Sequence, residues 1–158
     1  NKNAKLPNRR NASELEHLGV GKYAVMVAMG ASLEENVESI KKYRDRVDVI
    51  CCDKAFGPLL DHGVKADYVV VADANIPFKY IEKYVGQTEK IGLLSTPYAN
   101  PEWTHAWKGP VYFYVNQDAI GTEDVFKKIM GDEIRMIPAS SPAANPTLAR
   151  ALKWRRPK

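Results

Sequence analysis

Residues 24–73 alternate between three short apolar runs and polar, helix-like stretches, and this pattern constrains the fold more than any other feature. The runs cover residues 24–28, 47–52 and 68–72, and each ends at a small residue or just before an acidic one. Their β-branched, almost wholly apolar character is typical of strands buried on both faces of a parallel sheet. Parallel neighbours need a long crossover connection, which the helical stretches can supply. The segment therefore predicts a β-α-β-α-β unit.

The first predicted strand is followed by a short turn, Gly30-Ala31-Ser32. Gly30 allows close approach to the backbone, and Ser32 with Glu35 three residues later has the spacing of a capping box. A helix beginning at Ser32 would present unpaired amides and the positive end of its dipole, which suit a phosphate. The turn is neither a complete G-x-G-x-x-G nor a P-loop. Two interpretations stay open: a phosphate site, or a helix cap whose loss would cost about 1 kcal/mol.

Polar side chains also follow the other predicted strands, at the sheet edge where open α/β sheets bind ligands. Asp53 stands near the spacing at which a dinucleotide-binding unit places an acid on a ribose hydroxyl, and it equally suits a helix cap. Asp73 suits a metal ligand, a base or a turn. No catalytic residue and no metal-ligand motif is assigned. The candidate nucleotide- and phosphate-binding residues are Gly30, Ala31, Ser32, Asp53, Asp73, Ser95, Asn116, Gln117 and Ser141.

The alternation continues along the rest of the chain. Further strands are predicted at residues 90–94, 110–115 and 134–137, with a helix from Thr122 to Met130 and a last helix that ends near Trp154. This pattern predicts an α/β three-layer sandwich around a central, mostly parallel sheet. Right-handed crossovers are expected to place the first strand centrally, with the chain reversing direction across the sheet between the third and fourth strands.

Residues 97–107 (PYANPEWTHAW) are predicted to be an aromatic loop after the fourth strand. We expect Asp53, Asp73 and Asn116 to share one cleft with the Gly30–Ser32 turn, and this loop to overhang that cleft. Tyr98, Trp103 and Trp107 suit stacking on a base or sugar, but anchoring the loop to the domain is the favoured interpretation. His105 suits an acid or base there.

Residues 29–73 resemble the 6-hydroxymethylpterin diphosphokinase MptE-like family, which also contains flagellar motility accessory factors. The resemblance rests on Met29-Gly30-Ala31-Ser32-Leu33, on Cys51-Cys52-Asp53, and on residues 59–67 (LLDHGVKAD) leading into a strand that ends at Asp73. Alanines at 31 and 66 stand where the family usually has proline. The turn is also similar to that of small bacterial sialyltransferases, which have a related Rossmann-like fold and use a nucleotide-activated sugar.

The resemblance implies a Rossmann-like transferase domain whose ligand is a nucleotide or nucleotide-sugar. Sugar transfer from a nucleotide donor is the favoured reaction. The alternative is pyrophosphate transfer from ATP to a pterin alcohol, which would need Mg²⁺ held by clustered carboxylates. The third strand ends at a single acid, Asp73, which weakens this alternative. A non-catalytic nucleotide-binding or interaction module is a third hypothesis. Because family members usually continue past the last helix, part of the site is expected to lie beyond this chain.

Length and charge predict the organisation of the domain. The 158 residues suit one domain, with a polar basic arm at 1–20, a nucleotide-binding domain at 21–154 and a basic tail at 155–158. The first ten and the last six residues carry eight basic and no acidic side chains, so the net charge of +4 combines +8 at the two ends with −4 over the rest of the chain. Such ends are typical of solvated tails, so we expect no specific nucleic-acid partner.

Hydropathy and the two cysteines indicate where in the cell the protein is expected to be located. No apolar stretch of about 18 residues is present, so no membrane span is expected. The N-terminal residues lack the apolar region of a signal peptide. The adjacent Cys51 and Cys52 are predicted to be buried thiols rather than a disulfide or metal pair, which favours a reducing, cytoplasmic location. The sequence leaves the oligomeric state open.

Overall fold

The computed structural model describes residues 2–16, 20–116, 123–131 and 134–137. Within these residues seven strands form one sheet. The strands are β1 (Arg9–Asn11), β2 (Tyr23–Val27), β3 (Val47–Cys52), β4 (Tyr68–Val71), β5 (Gly92–Ser95), β6 (Val111–Asn116) and β7 (Arg135–Ile137). The α-helices are α1 (Ser32–Lys42), α2 (Asp53–Asp61), α3 (Pro101–Ala106) and α4 (Glu123–Met130). Short 3₁₀ helices cover Asn3–Lys5, Ala12–Leu15, Arg44–Arg46, Phe78–Tyr80 and Glu82–Gln87.

The strand order is β1-β6-β5-β4-β3-β2, with β7 also paired to β6. All six pairings among the described strands are parallel, which confirms the α/β fold with a central parallel sheet. The predicted winding is wrong. β2 lies at one edge of the sheet, and each following strand up to β6 is added one position further along. Because every crossover advances in the same direction, the chain makes no reversal between β4 and β5.

The sheet separates two hydrophobic clusters. Side chains alternate between the faces of a strand, so Val49 and Cys51 point into one cluster and Ile50 into the other. The first cluster receives the buried sides of α1, α2 and α3, through residues such as Leu33, Phe56 and Trp103. Helices on a single face follow from right-handed crossovers that all advance the same way. The loops that leave the carboxyl ends of the strands therefore line up along one edge of the sheet.

The N-terminal segment is part of this architecture, although its polarity predicts a solvated arm. β1 pairs in parallel with β6, with Arg9 opposite Val111. The side chain of Asn3 is buried, donates to the carbonyls of Pro97 and Ala99 at 3.0 and 2.8 Å, and accepts from the Thr104 hydroxyl at 2.6 Å. These bonds fasten the start of the described chain to the segment that follows β5.

The segment 97–107 contains a helix instead of the predicted loop. Asn100 is the N-cap of α3 and accepts from the Glu102 amide at 3.0 Å, while Pro101 takes the first helical position. Trp103 is fully buried, and Trp107 donates its indole N–H to the Ile91 carbonyl at 2.8 Å. The tryptophans therefore anchor this segment to the domain, as the favoured interpretation proposed.

Cys51, Cys52 and Asp67 have structural roles. Cys51 and Cys52 are buried free thiols, as predicted, and burial raises the pKa of Cys51 well above its ordinary value. The Asp67 carboxylate accepts from the Val49 amide at 2.7 Å and pairs with the Arg44 guanidinium at 2.8 Å. Asp67 thus stabilises the start of β4 at the edge of the sheet opposite to the candidate site.

Candidate functional site

The candidate residues follow their strands along the carboxyl edge of the sheet. The Gly30–Ser32 turn follows β2, Asp53 follows β3, Asp73 lies two residues beyond β4, and Asn116 is the last residue of β6. Neighbouring strands stand about 4.8 Å apart, so this row extends over roughly 19 Å from β2 to β6. The row is therefore one shared edge of the sheet, and a single cleft that contains all of its members stays a prediction. The turn and Asp53 follow adjacent strands, and so do Asp53 and Asp73.

The turn after β2 begins α1 one residue earlier than the capping box predicts. Ala31 occupies the N-cap position in a helical conformation, and Ser32 is the first residue of α1. No side-chain cap hydrogen bond forms at Ala31; instead the Leu33 amide donates to the Gly30 carbonyl at 3.0 Å. The prediction that Ser32 caps the helix is wrong because the backbone is already helical at Ala31. Residues 28–32 are exposed, so the first turn of α1 opens to solvent at this edge.

We expect Ser32→Ala to change the free energy of unfolding by less than about 0.5 kcal/mol, since no cap is lost and exposed substitutions of this kind have small effects. Urea unfolding of the two proteins measures the difference. Asn100→Ala is the matched control, because it removes a cap hydrogen bond that does form; it should cost about 1 kcal/mol. A loss from Ser32→Ala as large as that from Asn100→Ala would contradict the observed helix start.

Asp53 is the first residue of α2 and lies beside the turn. Val27 pairs with Cys51 in the register of β2 and β3, so the turn leaves the sheet at the level of Asp53. The carboxylate is largely buried, with 8% of the residue exposed, and it accepts from the Lys54 amide at 2.6 Å. Burial raises the pKa of Asp53 above its ordinary value, and the nearby Asp73 carboxylate adds to the rise. A buried carboxylate at an open edge is suited to accept hydrogen bonds from ligand hydroxyls.

Asp73 lies one strand further along the edge and is exposed. Its carboxylate accepts from the Asn75 amide at 2.8 Å, and its carbonyl accepts from the Asn100 amide at 3.2 Å. The first bond shapes the turn after β4, and the second joins this turn to the N-cap of α3. The second oxygen of a carboxylate can accept further bonds, so this turn role is compatible with contact to a ligand.

One aromatic residue near this edge, Tyr114, was missed in the sequence, whereas Tyr98 was named there as suited to stacking. Tyr114 of β6 is buried, and burial raises the pKa of its phenol, with Tyr98 and Asp53 adding to the rise. Tyr98 is 38% exposed, and its ring centroid lies 6.0 Å from that of Phe126 in α4. In the sequence, the run Val111–Asn116 indicates only a strand. Tyr114 is near Asp53 because of the order of the strands in the sheet. Of these aromatics, Tyr98 is exposed to solvent, whereas Tyr114 belongs to the buried second cluster.

The remaining residues that the sequence predicted for the site are either buried, outside the described residues, or exposed on α3. Ser95 is fully buried, and its hydroxyl donates to the Thr96 carbonyl at 3.1 Å. Direct contact between Ser95 and a ligand, as predicted, does not fit this burial. Asn116 ends β6, but its side chain lies outside the described residues, as do Gln117 and Ser141. His105 is exposed on α3.

The edge also carries a basic side chain. Lys54, directly after Asp53, is exposed in the first turn of α2 and brings a cation to the row. Among the described residues no group of three or more His, Cys, Asp or Glu side chains is placed to hold a metal ion.

None of the helices in the described ranges combines the length and hydrophobicity needed to cross a membrane.

Comparison with known proteins identifies the family. The profile of the family described as 6-hydroxymethylpterin diphosphokinase MptE-like matches residues 1–155. This chain therefore belongs to the MptE-like family, which confirms the resemblance carried by residues 29–73. A comparison with curated protein sequences finds no match.

One solved structure is similar over nearly the whole chain. It is the MAf glycosyltransferase from Magnetospirillum magneticum AMB-1, which is 18% identical with a TM-score of 0.68. The similarity covers 98% of this chain and 26% of that protein, so the chain spans about a quarter of the length of its structural relative. At this identity the likeness shows that the two share a fold.

Proposed function

We propose that this chain is the nucleotide-binding part of a transferase that uses a nucleotide-activated sugar as donor. The observation that carries the proposal is the pairing of the exposed turn at Gly30–Ser32 with the buried carboxylate of Asp53 on the adjacent strand. Amides at a helix start bind phosphate, and an acid on the next strand binds a ribose hydroxyl. Membership in a family named for a nucleotide-dependent transfer, and a fold shared with a glycosyltransferase, support the same class of reaction.

The positions of the candidate residues along the edge predict which part of the ligand each of them contacts. The phosphates bind at the first turn of α1, where no described side chain forms a cap bond. Lys54, in the first turn of α2, supplies positive charge at the same edge of the sheet, while Glu34 and Glu35 in the first turn of α1 oppose it. The ribose lies against Asp53, and the group to be transferred extends toward Asp73 and the exposed Tyr98. Charge development on a leaving phosphate is stabilised by donors held in place before reaction.

A second candidate is transfer of pyrophosphate from Mg²⁺-bound ATP to a pterin alcohol. The family's description favours it, and so does the proximity of the Asp53 and Asp73 carboxylates on adjacent strands. Mg²⁺ at phosphate-transfer sites is often held by one or two carboxylates together with the substrate phosphates. These two residues would hold the ion, which would neutralise charge on the phosphates. On this hypothesis the edge binds and orients ATP, and Asp53 contacts the metal ion instead of the ribose.

A nucleotide screen separates these functions. Thermal-shift and calorimetric titrations with CMP, UDP, GDP and ATP, each with and without Mg²⁺, measure binding directly. Metal-independent binding of CMP or UDP supports sugar transfer, and ATP binding that requires Mg²⁺ supports pyrophosphate transfer. No binding by any nucleotide would refute both and leave the third hypothesis, a non-catalytic interaction module.

We expect Asp53→Asn to stabilise the free protein at neutral pH while weakening nucleotide binding. A carboxyl group whose folded pKa lies above its unfolded value favours folding when protonated, so its charged form opposes folding as the pH rises. The stability difference from wild type should therefore shrink as the pH falls toward about 4, the unfolded pKa of aspartate. An amide still bonds a ribose hydroxyl, but less strongly than a carboxylate.

Urea unfolding between pH 4 and 7 measures the stability effect, and titration with the tightest nucleotide measures binding. Asp45→Asn is the matched control, because Asp45 is exposed and lies in the 3₁₀ helix before the amino end of β3, opposite to the carboxyl edge; neither property should change. Unchanged binding by Asp53→Asn would remove Asp53 from the site, even if the stability gain is observed.

A further inference from the structure

The outer edge of β2 is open in the described part of the chain. β2 ends the strand order, and none of the described residues pairs with its outer side. Tyr23 is 41% exposed on this strand, and Val25 is half-buried. An exposed edge strand with apolar side chains and unpaired backbone groups is a template for pairing with another strand.

A groove runs beside this edge and favours a helix-bearing partner. It has a volume of about 670 Å³ and lies between β2 and α1. The side chains of α1 that line it include the uncharged Asn36 and Ser39, followed by Tyr43, which is 46% exposed. Uncharged side chains on an exposed helix face are compatible with contact to a second helix, because no charge has to be desolvated.

Charge is segregated along the helix next to the groove. Glu35, Ser39 and Lys42 follow one another at helical spacing, and Arg46 lines the groove just beyond the end of α1. The acid therefore stands at one end of this face and the bases at the other, with the neutral Ser39 between them. No ion pair joins Glu35, Lys42 or Arg46 to another of the described residues.

We propose that the edge binds a second copy of this chain through a two-fold axis. Under such an axis β2 pairs antiparallel with β2 of the second copy, and the two α1 helices lie antiparallel on the same face of the extended sheet. Since α1 covers the β2–β3 part of the sheet, the helices stand two strand spacings apart, about 10 Å, which is the distance of packed helices. Antiparallel helices bring Glu35 of each copy opposite Lys42 of the other. This complementarity selects a second copy over an unrelated strand or helix.

Reversing one charge at a time and then both tests this arrangement. Sedimentation equilibrium of the 158-residue chain should show a dimer, with a dissociation constant below roughly 100 μM. Glu35→Lys and Lys42→Glu should each weaken the dimer about tenfold or more, because like charges then face each other. The double variant E35K/K42E should restore the affinity, since every charge pair is re-formed with reversed sign.

The control is Lys79→Glu, an exposed charge reversal in the 3₁₀ helix Phe78–Tyr80, which should leave the dimer unchanged. Circular dichroism verifies that each variant is folded. A monomer at all concentrations would overturn the proposal. A dimer that is unaffected by the single reversals, or one that the double variant fails to restore, would also overturn it.

Discussion

Gly30→Val is expected to abolish nucleotide binding and to leave the protein folded. Gly30 does not have a positive φ, and a Cβ built on it would meet only the Ser32 hydroxyl oxygen, at 4.0 Å. The larger side chain is therefore accommodated by the free protein and occupies the space through which a phosphate reaches the helix amides. Calorimetric titration with the tightest nucleotide of the screen should detect no binding, a loss of about 100-fold or more if the phosphate contacts supply roughly 3 kcal/mol.

Gly86→Val is the matched control for this substitution. Gly86 is exposed, and a Cβ built on it would meet no atom within 4 Å. It lies in the 3₁₀ helix Glu82–Gln87, before the amino end of β5 and away from the carboxyl edge. This variant should bind nucleotide like the wild type. If Gly30→Val also binds like the wild type, the turn is structural and the proposed phosphate position is wrong.

Phe56→Ala is expected to cause the largest loss of stability, about 3–5 kcal/mol. Phe56 is fully buried on α2, and its ring centroid lies 5.4 Å from that of Trp107 and 6.1 Å from that of Tyr84. Truncation removes these contacts and leaves a cavity where the helix meets the segment between β4 and β6. Such a loss is a large part of the 5–15 kcal/mol typical of a domain.

Urea unfolding measures this loss as a lower transition midpoint with an unchanged slope. Tyr80→Ala is the control for deletion of an aromatic ring at an exposed position, because Tyr80 is 38% exposed; it should cost less than about 1 kcal/mol. A loss of similar size from both variants would show that Phe56 is not central to the packing of α2.

The sequence predicts the central strands of the fold well and their arrangement poorly. Apolar runs identify β2, β3 and β4 because strands buried on both faces need continuous apolar sequence. The same runs do not specify on which side each new strand is added, so the winding was predicted wrongly. β1 reads Arg-Arg-Asn and has no hydrophobic period, so only its pairing with β6 identifies it as a strand. For α3, the Asn100-Pro101 pair was an available start signal that the surrounding aromatics and prolines obscured.

The candidate site was likewise predicted only in part from the sequence. Its members at the ends of β2, β3 and β4 were predicted because parallel strands deliver their carboxyl ends to one edge. The start of α1 was misplaced by one residue, since the backbone turn closed by Leu33 and Gly30 replaces the side-chain cap that a capping box would form. The proximity of Tyr114 to Asp53 depends on strand order, which local sequence does not encode. The burial of Ser95 likewise follows from its place in a central strand.

The most direct test of nucleotide binding at the carboxyl edge is to map the bound nucleotide by amide chemical shifts. Titration of the isotope-labelled chain with the tightest nucleotide should produce the largest changes at residues 29–34 and 53–55, with smaller changes near Asp73. Gly30→Val should remove these changes at the same nucleotide concentration. Changes confined to other surfaces, or none with any of the four nucleotides at millimolar concentration, would contradict a nucleotide site at this edge.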